Sequence, residues 1–275
     1  MASCVFGWPE FSQASVSYTP VYSGGSYAAT LPLTNVFDRR LSKVARTSDA
    51  TVGSCTFDVD LGVARPVGLL AVLIPNLTKS ATPTIRWTGG TTVGASDVYD
   101  SGTVQAWPSS YTAEDANGLN VWKPTIPASA QTARYWRFLC TDTANVDGHL
   151  DFARVLIAGA YTPTYNLSVG GKSQLESETV RTITDGGSAV YQPKPRRRSD
   201  TFAVRNLSTT ETYQTVRKMQ RQLGTSGQLF WVYDSADTAI LMAERAYLCV
   251  MKELGALDAP SSTFNDANFS LVEEL

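Results

Sequence analysis

The sequence predicts a mainly β protein made of two units, an antiparallel sandwich followed by a second β-sandwich or split barrel with one flanking helix. Three observations predict it. With 275 residues the chain exceeds one small core, so two domains are the natural division. Its composition is low in charge and rich in Thr, Ser, Ala, Gly and Val, which favours strands. Short apolar runs of period 2 recur between Gly, Pro and Ser clusters, while a helical period of useful length occurs once.

From Phe57 to Val63, the residues Phe57, Val59, Leu61 and Val63 alternate with Asp58, Asp60 and Gly62, so one face is core and the other is wet. Val67 to Ile74 is apolar on both faces between Pro66 and Pro75, as a central strand covered on both sides would be. Thr84 to Trp87, Asp97 to Ser101, Arg134 to Cys140 and Asp151 to Ile157 follow as strands. Thr88-Gly89-Gly90 and Asn117-Gly118 supply turns between them.

The order of residues over this half carries a resemblance. Asn35-Val36-Phe37-Asp38, Ala45-Arg46-Thr47-Ser48-Asp49 and Phe57-Asp58-Val59-Asp60-Leu61-Gly62 precede Ala133-Arg134-Tyr135-Trp136-Arg137-Phe138 and Phe152 to Gly159. The series resembles the discoidin or galactose-binding-like jelly-roll group. That likeness implies an N-terminal antiparallel jelly-roll sandwich over residues 1–160.

Gly159 and Pro163 bracket a connector at Tyr161-Thr162-Pro163-Thr164-Tyr165, which places the second unit at 161–275. Strands are expected at Glu178 to Thr184, Asp200 to Asn206, Gln228 to Tyr233, Ala243 to Leu254 and Asn268 to Leu275. One helix, residues 209–223, is marked by Ser208 with Glu211 three places later, by Tyr213, Val216, Met219 and Leu223 at helical spacing, and by Gly224 as a stop. The segments Asp200 to Arg205, the helix, Gly227 to Val232 and the closing strands resemble the hub domain of bacteriophage distal tail proteins. That likeness implies a split barrel with a helix on its flank, in a chain that forms a ring.

Chemistry is harder to find. His149 is the one histidine, set in Asp147-Gly148-His149-Leu150-Asp151 with no nucleophile motif beside it. Multi-histidine metal sites are excluded by count. Asp58, Asp60, Asp147 and Asp151 could meet at a hard cation, but no spacing matches a calcium loop, and Asp58 and Asp60 also read as a solvated strand face. Cys4, Cys55, Cys140 and Cys249 stand apart and read as free thiols. Four Gly-Gly pairs lack the endings of phosphate loops and read as turns. The expectation is no enzyme and no cofactor.

Binding residues are better marked. Lys194, Arg196, Arg197 and Arg198 lie within five positions, stiffened by Pro193 and Pro195, and are expected at a contact between subunits; a solvated loop and nucleic acid are the alternatives. Trp107 and Trp122 are candidates for a glycan contact, a protein interface or packing within the unit. The net charge of -2 recruits neither nucleic acid nor membrane over distance. No stretch is long enough to span a bilayer as a helix, and Met1 to Pro9 lacks the pattern of a secretion signal. The expected function is structural: a ring, with a hexamer the preferred order, linking a phage tail tube to the receptor-binding apparatus. It would assemble in the host cytoplasm and reside in the virion. A carbohydrate-binding adhesion module that meets a host-surface glycan is the alternative.

Overall fold

Alternating runs from both halves of the chain fold into stacked antiparallel sheets. The computed structural model describes all residues except 1–2, 15–17, 81, 109, 113–118, 184 and 262; the Asn117-Gly118 turn lies outside the described residues. In the first half, Phe57–Val67 pairs with Val21–Ser23 on one side and Gln131–Thr141 on the other. Thr84–Gly90 and Tyr99–Asp100 extend this sheet, and Val104–Gln105 also joins Thr84–Gly90. Arg154–Ala158, Leu69–Leu73 and Lys123–Thr125 form a second, three-stranded sheet. Phe57, Val59, Leu61 and Phe138 share one core with Leu70, Val72, Val155 and Ile157, which is the expected sandwich.

The alternation that begins at Phe57 holds only to Leu61. Gly62 adopts φ +75, the pairing with Gln131–Thr141 shifts register between Ala133 and Tyr135, and Val63 is exposed. A bulge of this kind changes which face a residue meets, so Val63 is not core.

The run Leu69–Leu73 is buried on both faces, for a reason beyond the sandwich. Leu70 and Val72 enter the sandwich core. Leu69, Ala71 and Leu73 enter a second core with Trp122, Leu156 and Phe230, so this sheet is a middle layer between the two halves.

A seven-stranded antiparallel sheet builds the second half in the order Val5–Gly7, Gln228–Val232, Ala246–Glu253, Phe264–Glu273, Arg196–Ser208 and Lys172–Ser177, with Leu257–Asp258 on Phe264–Glu273. Its first strand comes from the N-terminus, with Phe6 opposite Trp231 and Gly7 opposite Phe230. The chain therefore crosses the division at 160 before it builds the sandwich. A Cβ on Gly7 would stand 2.9 Å from Phe230 Cβ and 3.3 Å from Leu69 Cδ2, so only glycine fits where the layers meet. The sheet also curls. Phe202 stacks on Trp231 at 4.5 Å and 13° although two strands separate theirs, which is the split-barrel geometry.

The expected helix forms as a π-helical segment, Glu211–Val216, continuing as the α-helix Arg217–Leu223. Ser208 Oγ accepts from the Glu211 N–H at 3.1 Å, and Gly224 ends the helix with φ +57. Tyr213 is exposed and Thr212 buried. In the wider π turn the residue four before Val216 comes beneath it and the residue three before swings away. A further helix, Ala239–Arg245, occupies the start of the strand expected from Ala243, which begins instead at Ala246. The Thr238 side chain caps it, and strong helix formers fill it.

Candidate functional site

Placing each cation of the 194–198 run follows from where the strand begins. At Arg196 the chain enters the Arg196–Ser208 strand, and its period of 2 sends Arg198 inward with Asp200 and Phe202. Arg198 is buried. Its Nη2 and Nε donate to Glu273 at 2.5 and 3.0 Å, and its Nη1 donates to the Ala243 and Glu244 carbonyls at 3.0 Å. Nη2 also reaches the Asn120 carbonyl at 3.0 Å. All donors point into the chain, so Arg198 is an internal lock and is corrected as a subunit contact. Lys194 and Arg196 are exposed and Arg197 half-buried, none with an ion pair among the described residues.

Both tryptophans are also turned inward. Trp122 meets Phe230 edge-on at 5.2 Å, at the junction of the halves. Trp107 is buried with Tyr111, Val121 and Ala243, and its Nε1 donates to the Tyr111 carbonyl at 2.5 Å. The Ala239–Arg245 helix, absent from the sequence expectation, is what covers this loop, with Tyr111 OH donating to Glu244. Neither ring offers a free face, so both are corrected as glycan or subunit contacts. The Lys123 Nζ lies 4.2 Å from the Trp107 centroid, and burial pushes its amine down to about 7.

The residues weighed for catalysis or metal binding have other partners. His149 Nε2 is 3.9 Å from Asp151 Oδ1, while Asp151 receives Arg46 at 2.8 and 2.9 Å. Asp58 receives Arg137, and Asp60 receives Arg134, each through two bonds of 2.7 to 2.8 Å. Asp58 and Asp60 are thus cross-strand ion-pair partners on the sheet's outer face and not merely solvated, and hydrogen bonds from Arg134 hold the Asp60 carboxyl below its usual range. Asp147 receives Asn76 at 3.1 Å. All four cysteines are buried and free. Desolvation pushes the Cys55 thiol up to about 11 and Cys4 to about 12, which keeps them protonated and weakly nucleophilic.

The most exposed feature is an arm at residues 172–197. Lys172–Ser177 forms the outer edge of the seven-stranded sheet. Beyond it, among the described residues, Val180–Ile183 pairs only with Ala189–Gln192, and every residue of these two strands is exposed. Leu175, Ile183, Val190 and Tyr191 each show more than half of their surface. The sequence signals a strand at Glu178 to Thr184, of which Val180–Ile183 forms and 184 lies outside the described residues. Its lack of cover is a tertiary property that no local pattern carries.

No family model matches the chain, and no curated protein does. Among solved structures, a family 32 carbohydrate-binding module from a family 31 glycoside hydrolase of Clostridium perfringens aligns at 13% identity over 51% of this chain and 92% of that one, with a TM-score of 0.36. The lectin domain of lectinolysin, complexed with Lewis B antigen, aligns at 16% identity over 56% of this chain and 99% of that one, with a TM-score of 0.40. The family 32 module of AlyQ, in complex with 4,5-unsaturated mannuronic acid, aligns at 18% identity over 54% of this chain and 97% of that one, with a TM-score of 0.38. These likenesses are too loose to carry an argument, and the fold stands on its own strand pairing: mainly β, in antiparallel sheets.

Proposed function

We propose that the chain is a non-catalytic assembly subunit that associates with copies of itself through the 172–197 arm. The arm is the observation that carries this reading. A lone two-stranded hairpin is marginal in water, and an open edge strand presents unpaired N–H and C=O groups. A neighbouring copy that adds a strand or covers the apolar side chains removes both liabilities. The arm also bears both signs, Glu178 against Arg181, Lys194 and Arg196, while Glu176 is held by Lys252, so repeated copies can meet with opposite charges facing. The setting in this reading is a ring in a bacteriophage tail tip, which rests on the resemblance of the segments named above to hub domains. Native mass spectrometry of the full chain should give a closed oligomer. A variant with 179–192 replaced by a short Gly-Ser turn should give folded monomer. Monomer from both proteins would overturn the reading.

A second reading, carbohydrate binding by the first unit in adhesion, is supported by the sandwich that the discoidin-like segments build. Retention of the full chain on a glycan array, unchanged in the arm variant, is the expected result for it. No retention would remove it.

A further inference from the structure

On the curled side of the seven-stranded sheet lies a groove of about 880 Å³, lined by arm residues and by the sheet. That volume falls within the range of small-molecule sites, roughly 300 to 1,000 Å³. Lys172, Lys194 and Arg196 line it together with Asp200, Phe202 and Tyr233.

The charges in this groove are unevenly satisfied. Arg198 and Arg245, which also line it, are paired with Glu273 and Asp237, and Glu244 accepts from Tyr111. Lys172, Lys194 and Arg196 have no ion pair among the described residues. Asp200 makes the opposite demand. Its Oδ2 accepts from Trp231 Nε1 at 2.9 Å and Tyr247 OH at 2.8 Å, whereas Oδ1 is buried with no hydrogen-bond partner. A buried acceptor left without a donor is unfavourable. The groove therefore asks for a negative group at its free cations and for a neutral donor at Asp200, with the exposed Leu175 as its apolar surface, since Phe202 is buried against Trp231 and Phe269.

We infer that the groove binds an acidic sugar unit. The carboxylate of such a ring pairs with Lys194 and Arg196, a hydroxyl donates to Asp200, and a carbon face of the ring lies against the exposed Leu175 side chain. An anion without an O–H, such as sulfate, satisfies the cations but brings no donor for Asp200. A neutral sugar does the reverse. The site lies within one chain and shares Lys194 and Arg196 with the arm of the assembly reading, so sugar binding and assembly are read separately in the test below.

Saturation-transfer NMR on the full chain, with D-glucuronate as probe and D-glucose as the neutral control, tests it. Glucuronate should give a clear response, with glucose at least about fivefold weaker. Lys194→Ser with Arg196→Ser, both at exposed positions, should weaken glucuronate about tenfold without altering the circular dichroism spectrum. Asp200→Asn, which keeps an oxygen for Trp231 and Tyr247, should weaken glucuronate as well; if that variant melts early, the double variant alone decides. Equal responses to the two sugars, an unchanged response in the double variant, or complete displacement by an equal concentration of sulfate would overturn the inference. Sedimentation of the same samples separates loss of sugar binding from loss of assembly.

Discussion

Lys123 links a single side chain to pH. It is buried over Trp107, and desolvation lowers its amine from 10.5 to about 7. Between those values the unfolded chain holds the proton and the folded chain releases it, so stability rises with pH from about 7 to 10.5. Below pH 7 both states are charged and the penalty is at its full size. Lys123→Met should therefore stabilise the protein at pH 7 by on the order of 3 kcal/mol, the lost cation–π contact offsetting part of the gain. At pH 10.5 the gain should nearly vanish; urea unfolding at both pH values checks this, and an equal gain at each would mean the amine is solvated. Arg198 makes a complementary case. Glu273→Gln removes the ionic partner of a buried guanidinium and should cost about 3 kcal/mol in the same assay. The burial of Arg198 was legible in principle, since alternation from Val204 through Phe202 and Asp200 runs back to it. Reading Lys194 to Arg198 as one charged loop concealed that, because a strand boundary within a polar run leaves no apolar mark. For Trp107 and Trp122 packing was one of three readings, and the sequence could not select it because Ala243 and Phe230, which cover them, come from the other half.

Elements defined by a strong local period were legible, and those defined by contact were not. The helix start at Ser208 and its stop at Gly224 lie where the sequence puts them, because capping is local chemistry. The π turn was hidden, since its extra residue leaves composition unchanged, and it places Thr212 beneath the helix where Tyr213 was expected. Leu69–Leu73 was legible as covered on both faces, but which layers cover it depends on pairing across the chain. Gly7 tests that layering. Gly7→Val forces a side chain between Phe230 and Leu69 and should cost about 1 to 3 kcal/mol, read as a lowered urea midpoint with near-unchanged far-ultraviolet circular dichroism. A midpoint equal to wild type would show that the layers part easily there.

For the molecule as a whole, the sequence conveyed two β units but not their shared core. Leu69, Ala71, Leu73, Leu156 and Trp122 from the first half lie in one cluster with Phe230, Leu248 and Phe202 from the second. Calorimetry of the full chain should accordingly show one cooperative transition; two separated transitions would mean that the halves are energetically independent. Residues 1–160 produced alone should bind a dye for exposed apolar surface, and adding residues 161–275 should reduce that signal. The placement of Val5–Gly7 in the last sheet also sets an order of events during synthesis. Ser3 meets Ser235, 232 positions further along, and Phe6 waits for Trp231, Phe202 and Phe269. During synthesis Val5–Gly7 is made long before Gln228–Val232 and stays without that partner over the interval. A polypeptide released before the Gln228–Val232 strand would leave Val5–Gly7 without its pairing partner and Phe6 without the rings that cover it.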